Sequence, residues 1–182
     1  MNRRMVATRK LVMSAVFIAL GLVLPFITMQ IPRFGNMLLP MHIPVLLCGF
    51  LCGAPYGLLV GAIVPVFRSL IFGMPMMMPM AVGMAFELAA YGFLSGLLYD
   101  FFADKRWGSY ISLLGAMLGG RIVWGVVSVM LYSMLGNTFT WQLFMAGAIF
   151  NAIPGIIIQL VLIPVLVNAL AGVRTTALAG EV

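Results

Sequence analysis

The chain has 182 residues, of which 64% are apolar and only 8% are charged, and its mean hydropathy is +1.17. A soluble domain averages roughly 45–50% apolar and about 25% charged residues, and a chain of this size cannot hide so much apolar surface from water. These figures exclude a soluble enzyme, a nucleic-acid-binding domain and a disordered protein. They indicate one domain in a lipid bilayer, with room for about six spans.

The N-terminus resembles a signal peptide, because four basic residues precede an apolar run. That run continues to Met29 without a small-residue cleavage site, and apolar segments follow as far as Leu170. We therefore expect a retained first span rather than a cleaved signal.

Apolar runs separated by Pro, Gly or charged residues predict an all-α bundle of six transmembrane helices. The runs do not alternate in polarity as barrel strands do, and backbone groups in hydrocarbon are satisfied within helices. Because the second run is unusually short, five spans are an alternative, with the second and third runs forming a re-entrant pair. The predicted spans are 11–29, 43–52, 56–72, 80–102, 109–135 and 141–170, and Pro154 and Pro164 interrupt the last.

Basic residues are distributed unequally over the predicted connections. With an even number of spans both termini share a side, and the side rich in Lys and Arg is cytoplasmic. We therefore expect cytoplasmic termini in the cell membrane, and we interpret the net charge of +6 as a topology signal. Arg33 lies alone on the outer side, and the cytoplasmic side collects Arg3, Arg4, Arg9, Lys10, Lys105, Arg106 and Arg174.

Three charged residues fall inside predicted spans, where charge is costly and commonly functional. Arg68 and Arg121 each lie about 18 Å above the cytoplasmic start of their span, and Glu87 lies about 10 Å below the outer start of its own. In a hydrocarbon core about 30 Å thick, all three converge in the outer half. Their net positive charge favours a small anionic ligand, since Arg binds carboxylates bidentately. Alternatively, one arginine pairs with Glu87 to brace the bundle, and both interpretations can hold.

Other polar and aromatic residues lie near the same depth. Trp124 is nearly one turn from Arg121 and Tyr91 is one turn from Glu87, so both are candidate pocket walls. Arg121 is the first candidate for ligand contact because Trp124 offers a stacking surface beside it. Asn151 is either a ligand contact or a helix–helix hydrogen bond, and His42 and Asn36 are candidates on the outer loop.

Other motifs argue against a metal site, a cofactor or catalysis. Cys48 and Cys52 match no metal or redox spacing. The Met-rich segment 74–80 contains thioethers that suit Cu(I), but without Cys or His it is better interpreted as an adaptable outer gate. The chain has no phosphate-binding loop, no metalloprotease motif and no nucleophile elbow. We expect neither a cofactor nor an enzymatic activity.

Small residues recur at spacings of four, which places them on one helix face and lets helices approach closely. Such pairs include Gly49 with Gly53, Gly57 with Gly61 and Gly92 with Gly96. Ala15 and Ala19 differ from these in context, because their span carries few polar groups. We interpret this pair as a docking face for another membrane protein.

Three segments resemble the substrate-binding S component of energy-coupling factor (ECF) vitamin transporters, in the broad group that includes pantothenate-type members. They are Leu39-Pro-Met-His-Ile-Pro-Val-Leu-Leu-Cys-Gly49, Tyr56-Gly57 and Met84-Ala-Phe-Glu-Leu-Ala-Ala-Tyr-Gly92. Ala15-x-x-x-Ala19 matches the family motif for docking on the coupling subunit. The resemblance covers nearly the whole chain.

The resemblance implies a subunit that captures a vitamin at an outward-facing site beneath loops 30–41 and 73–79. Its implied partners are a transmembrane coupling subunit and two ATP-binding subunits, and it topples in the membrane to release the ligand inside. The positive pocket favours pantothenate, while pyridoxine-like, thiamine-precursor and cobalamin ligands stay open. The alternatives are a stand-alone secondary transporter or channel for a small organic anion, and a structural or regulatory subunit without a ligand.

Overall fold

A computed structural model describes residues 3–28, 38–102, 105, 107–147 and 152–170 of the chain. All regular secondary structure in these residues is helical, and none is strand. A 3₁₀ turn at Leu24–Thr28 follows the first helix, and a π-helical turn at Met77–Ala81 leads into the fourth. The α-helices are α1 Arg3–Val23, α2 His42–Cys52, α3 Ala54–Phe72, α4 Val82–Phe102, α5 Gly108–Met134, α6 Trp141–Met145 and α7 Ile153–Ala169.

Four helical segments are long and apolar enough to cross a membrane: Arg4–Phe26, Ala54–Phe72, Met77–Phe102 and Gly108–Met134. Their outward faces carry large apolar side chains, such as Leu118 at 67% exposure. Apolar surface on this scale is typical of a lipid-facing protein. The described residues are therefore all-α, as predicted, and are consistent with a helical membrane bundle, while the number of spans stays a prediction.

The sixth predicted span is divided between two helices. The short helix α6 ends at Met145, and α7 begins at Ile153. Pro154 lies in the first turn of α7. Backbone N–H groups in a first turn have no partner within the helix, so the missing N–H of proline costs no hydrogen bond there, and the fixed φ of proline suits a helix start. Pro154 thus lies at the start of α7.

Helix α2 forms the centre of the bundle. Every residue of α2 except Ile43 is buried, and it packs against α1, α3, α4 and α7. It ends at Gly53, whose φ of 97° lies in the region that glycine adopts without strain. Pro55 in the first turn of α3 then starts the returning helix, so α2 and α3 form a tight helical hairpin.

Glycines set the close packing of α4 against this hairpin. A Cβ placed on Gly92 would collide with the backbone carbonyl of Gly57, and a Cβ on Gly57 would collide with that of Gly92. A Cβ on Gly49 would meet the same Gly92 carbonyl. Small residues thus let three helix backbones touch, as small-xxx-small spacing predicts for helices in lipid.

Gly92→Ala is expected to destabilise the bundle by about 1–3 kcal/mol or more, because the added methyl group forces backbone against backbone. Gly83→Ala is the matched control: Gly83 is buried on the same helix, but the nearest atoms to its Cβ lie 3.8 Å away, in ordinary contact. Unfolding in detergent measures both. Equal stability of the two variants would contradict the packing described here.

Candidate functional site

A cavity of about 190 Å³ opens at the end of the bundle where α2 and α4 begin and α5 ends. Its lining combines apolar and aromatic walls with a small polar cluster. The lining residues are Leu39, His42, Pro75, Pro79, Met80, Met84, Glu87, Arg121, Trp124, Ser128, Tyr132 and Gly147.

The polar cluster is centred on the Glu87 carboxylate. Nη1 of Arg121 lies 2.8 Å from Oε1 of Glu87, and Nε2 of His42 lies 3.7 Å from the same oxygen. His42 and Glu87 are almost completely buried, and the Arg121 side chain is 14% exposed. The structure therefore brings together three of the predicted site residues. Whether they contact a ligand stays a prediction.

Several polar atoms of this cluster have no hydrogen-bond partner among the described residues. They are Nη2 of Arg121, both imidazole nitrogens of His42 and Oε1 of Glu87, whose contact with Arg121 has ion-pair distance but not hydrogen-bond geometry. An unsatisfied buried donor or acceptor costs about 1–3 kcal/mol. The cluster therefore holds unused hydrogen-bonding capacity at the wall of a cavity.

Tyr91 lies behind the cluster rather than in the cavity wall. Its ring centroid is 5.2 Å from that of His42, the side chain is only 1% exposed, and the ring packs against the bare Cα of Gly120. We predicted a pocket wall at this position. The structure instead places Tyr91 one layer deeper, where it backs the imidazole of His42.

Trp124 does line the cavity, and an aromatic layer that the sequence analysis did not identify holds it there. Its ring meets Phe139 edge-on at 5.6 Å and stacks on Phe144 at 5.9 Å, while Gly147 leaves room for the indole. Aromatic contacts of this kind add about 0.5–1.5 kcal/mol each. The segment around α6 thus covers one side of the site.

The missed lining residues carry a detectable sequence signal. On α5 they share one helix face with Arg121, and on α4 and the turn before it they share one face with Glu87, because spacings of three and four residues align along a helix. The face on α5 consists of Arg121, Trp124, Ser128 and Tyr132. The face on the π-helical turn and α4 consists of Met80, Met84 and Glu87.

Arg68 is not among the residues that line this cavity. Its Nη1 donates to the Leu22 carbonyl at 2.6 Å, and its guanidinium lies over the rings of Phe26 and Phe72. Leu22 lies in the last turn of α1, just before the 3₁₀ turn that begins at Leu24. Arg68 was expected near Glu87, but its hydrogen bond instead connects α3 to the end of α1.

Arg68→Gln is expected to destabilise the protein by about 1–3 kcal/mol, because it removes a charge-assisted hydrogen bond and cation–π contacts. Ligand affinity should stay within about twofold of the parent protein, since a twofold change is only about 0.4 kcal/mol. Thermal unfolding and ligand titration in detergent measure the two effects. A variant with normal stability and lost binding would place Arg68 at the site.

Two predicted site residues, Asn36 and Asn151, lie outside the described residues. Both predicted gating loops are represented in the cavity lining. Leu39 comes from the loop at 30–41, and Pro75 and Pro79 come from the Met-rich segment at 73–79. The positions of these residues agree with loops that border the site.

Helix α1 has two different faces. Ser14, Phe17 and Gly21 are buried on one side, where a Cβ on Gly21 would touch Val64 of α3. Ala15 and Ala19 are exposed on the other side. The predicted docking pair therefore lies on a surface that the described residues leave open.

The described residues contain no group of three or more His, Cys, Asp or Glu side chains that could hold a metal ion. Cys48 and Cys52 are free and buried, and Sγ of Cys48 lies 3.7 Å from Oγ of Ser14 on α1. These cysteines pack as small side chains between helices.

Comparisons with known proteins identify the family. A family model for the ECF transporter, substrate-specific component, matches residues 9–167. Searches of curated proteins and of solved structures found no match to this chain. The matched region contains the cavity, its polar cluster and the exposed alanine pair, and it spans most of the chain. The protein therefore belongs to the family of substrate-specific components of ECF transporters.

Proposed function

We propose that this protein captures a small vitamin for an ATP-driven ECF importer, at a cavity within the membrane that opens outward. The observation that carries the proposal is the buried cluster of Glu87, Arg121 and His42 with its unused hydrogen-bonding atoms. Buried polar groups without partners are costly, and a bound ligand would satisfy them. The alternative, in which the cluster only braces helices, does not account for the cavity beside it.

The direction of the cavity follows from the distribution of basic residues. Arg4, Arg9 and Lys10 lie at the start of α1, and Lys105 lies between α4 and α5. The cavity is built from the opposite ends of α4 and α5. By the positive-inside rule, we propose six spans, cytoplasmic termini and a cavity facing out of the cell membrane.

The partners follow from the family and from the chain's own motifs. The chain has no phosphate-binding loop of the Gly-x-x-x-x-Gly-Lys type, so we propose that two ATP-binding subunits and a transmembrane coupling subunit complete the importer. Ala15 and Ala19 are exposed on α1, which supports a role in docking to the coupling subunit. We propose no enzymatic activity for this chain.

The size of the cavity limits which vitamins can be the ligand. About 190 Å³ suits a vitamin built from one ring or one short chain, and it disfavours a corrinoid such as cobalamin. Pantothenate was favoured on the sequence because two arginines outnumbered one glutamate. With Arg68 bound to α1, that charge argument no longer holds, so pantothenate is one candidate beside pyridoxine-like and thiamine-precursor compounds.

The decisive experiment is a thermal-shift screen of the purified protein in detergent against a vitamin panel, followed by titration of the hits. We expect at least one vitamin to bind with a Kd at or below about 1 μM, or about −8.2 kcal/mol, without ATP or partner subunits. Proteoliposomes should transport that vitamin only when the coupling module is present. Transport by the isolated chain would instead support the secondary transporter.

A further inference from the structure

We infer that this cavity selects an uncharged ligand over the corresponding carboxylate. The inference rests on the proposed capture function and adds the chemical class of the ligand. Its basis is the pairing of Arg121 with Glu87, together with the separation of Arg68 from the site.

The fixed charges at the cavity wall cancel. Among the described lining residues, Glu87 carries the negative charge and Arg121 the permanent positive charge, and their side chains are 2.8 Å apart. A ligand carboxylate that reached Arg121 would also approach the Glu87 carboxylate. It would lose its hydration in a largely apolar cavity whose described lining residues supply no net positive charge to offset that loss. A neutral ligand avoids both costs.

The unused polar atoms indicate what the neutral ligand offers. Nη2 of Arg121 is a buried donor without a partner among the described residues. Because Arg121 lines the cavity, a small movement of its guanidinium would let Nη2 bind a carbonyl, hydroxyl or ring-nitrogen acceptor. His42 is 1% exposed, its Nε2 lies 3.7 Å from Oε1 of Glu87, and neither ring nitrogen has a hydrogen-bond partner among the described residues. A neutral imidazole is a donor at one nitrogen and an acceptor at the other. A ligand edge that carries an acceptor beside a hydroxyl or amide donor satisfies both residues.

The rest of the cavity suits an apolar or flat body. Trp124 presents a large ring surface, and Met80, Met84 and Pro79 supply apolar contacts. Aromatic rings stack well on flat ligands, and Met side chains adapt to irregular shapes. The ligand class is therefore a small uncharged molecule with an apolar or aromatic body and one edge carrying both a donor and an acceptor.

The test compares matched pairs that differ in charge at one group: pantothenol with pantothenate, nicotinamide with nicotinate, and pyridoxine with 4-pyridoxate. Binding to the full chain in detergent is measured by calorimetry at pH 8, where an ordinary imidazole is neutral. In any pair that binds, we expect the neutral member to bind at least about tenfold more tightly, which corresponds to about 1.4 kcal/mol.

Two variants connect this preference to the Glu87–Arg121 pair. Glu87→Gln removes the negative charge and is expected to shift the preference toward the acid by about tenfold or more. Arg68→Gln removes a positive charge that the structure places away from the cavity, so the preference should stay unchanged.

The measurements distinguish a failure of the neutral-ligand inference from a failure of the proposed vitamin capture. If the acid binds more tightly in the parent protein, the neutral-ligand inference is wrong, and vitamin capture stands. If Glu87→Gln leaves the preference unchanged, the ion pair does not set it and the inference is also wrong. If no member of any pair binds and the wider vitamin panel also gives no hit, vitamin capture itself is contradicted, and the inference falls with it.

Discussion

Arg121→Gln is expected to lower the free energy of unfolding by about 3–5 kcal/mol, because it leaves the Glu87 carboxylate buried without its ion-pair partner. Glu87 is 2% exposed and lies 2.8 Å from the Arg121 guanidinium. Ligand affinity should fall in the same variant, since Nη2 of Arg121 is one of the unused donors at the cavity. Denaturant unfolding in detergent and ligand titration measure the two losses.

The double variant Glu87→Gln, Arg121→Gln is the control for the ion pair. Because it removes both charges together, its loss of stability should be smaller than the sum of the single losses by about 0.5–3 kcal/mol. Arg68→Gln combined with Glu87→Gln should instead be additive, since those residues have different partners. Additive losses for Glu87 and Arg121 would contradict the pairing.

Ala19→Leu is expected to abolish vitamin transport by the assembled importer while ligand binding stays intact. Ala19 is exposed on the face of α1 opposite to Phe17 and Gly21, so a larger side chain disturbs no contact inside the bundle. At a close helix–helix contact with the coupling subunit, overpacking costs about 1–3 kcal/mol, or roughly fivefold to 150-fold in association. ATP-driven uptake in proteoliposomes and ligand titration of the isolated chain measure the two effects.

Val161→Phe is the matched control for added bulk on a lipid-facing surface. Val161 is 63% exposed on α7, away from the alanine pair. This variant should transport normally and bind ligand normally. Loss of both binding and transport in Ala19→Leu would indicate misfolding, and unchanged transport would remove the docking role from this face.

Glu87 and Arg121 meet at the depth predicted from the sequence, but Arg68, which was expected at the same depth, lies elsewhere. Rise per residue fixes how far along its helix a side chain lies. It does not fix which neighbour that side of the helix faces. Arg68 lies on α3, and its acceptor is the Leu22 carbonyl in the last turn of α1, which only the packing of α1 against α3 brings within reach. That acceptor depends on the tertiary fold.

The glycine spacings predicted which helix faces pack closely, but not which helices they pack against. Pairs four residues apart indicated faces that permit close helix approach, and Gly49, Gly57 and Gly92 do lie at such contacts. Spacing did not reveal which helices meet. The partnership of α4 with both α2 and α3 follows from the tight reversal at Gly53, which places the hairpin against one face of α4.

The aromatic layer at Phe139 and Phe144 was not predicted, because the sixth predicted span carried only Asn151 as a candidate site residue. In the structure Phe144 lies on the short helix α6, from which it stacks on Trp124. Arg121, Trp124, Ser128 and Tyr132 share one face of α5 and all line the cavity. The sequence analysis named the first two of them as candidates but not Ser128 or Tyr132.

The brevity of α2 has a consequence for how the chain enters the bilayer. Its 11 residues extend about 16 Å, which is roughly half of a hydrocarbon core about 30 Å thick. The helix α2 alone is therefore too short to span the bilayer. Its packing partners include α7, the last helix of the described chain. The packing around α2 is therefore complete only when α7, which lies far later in the sequence, has joined it.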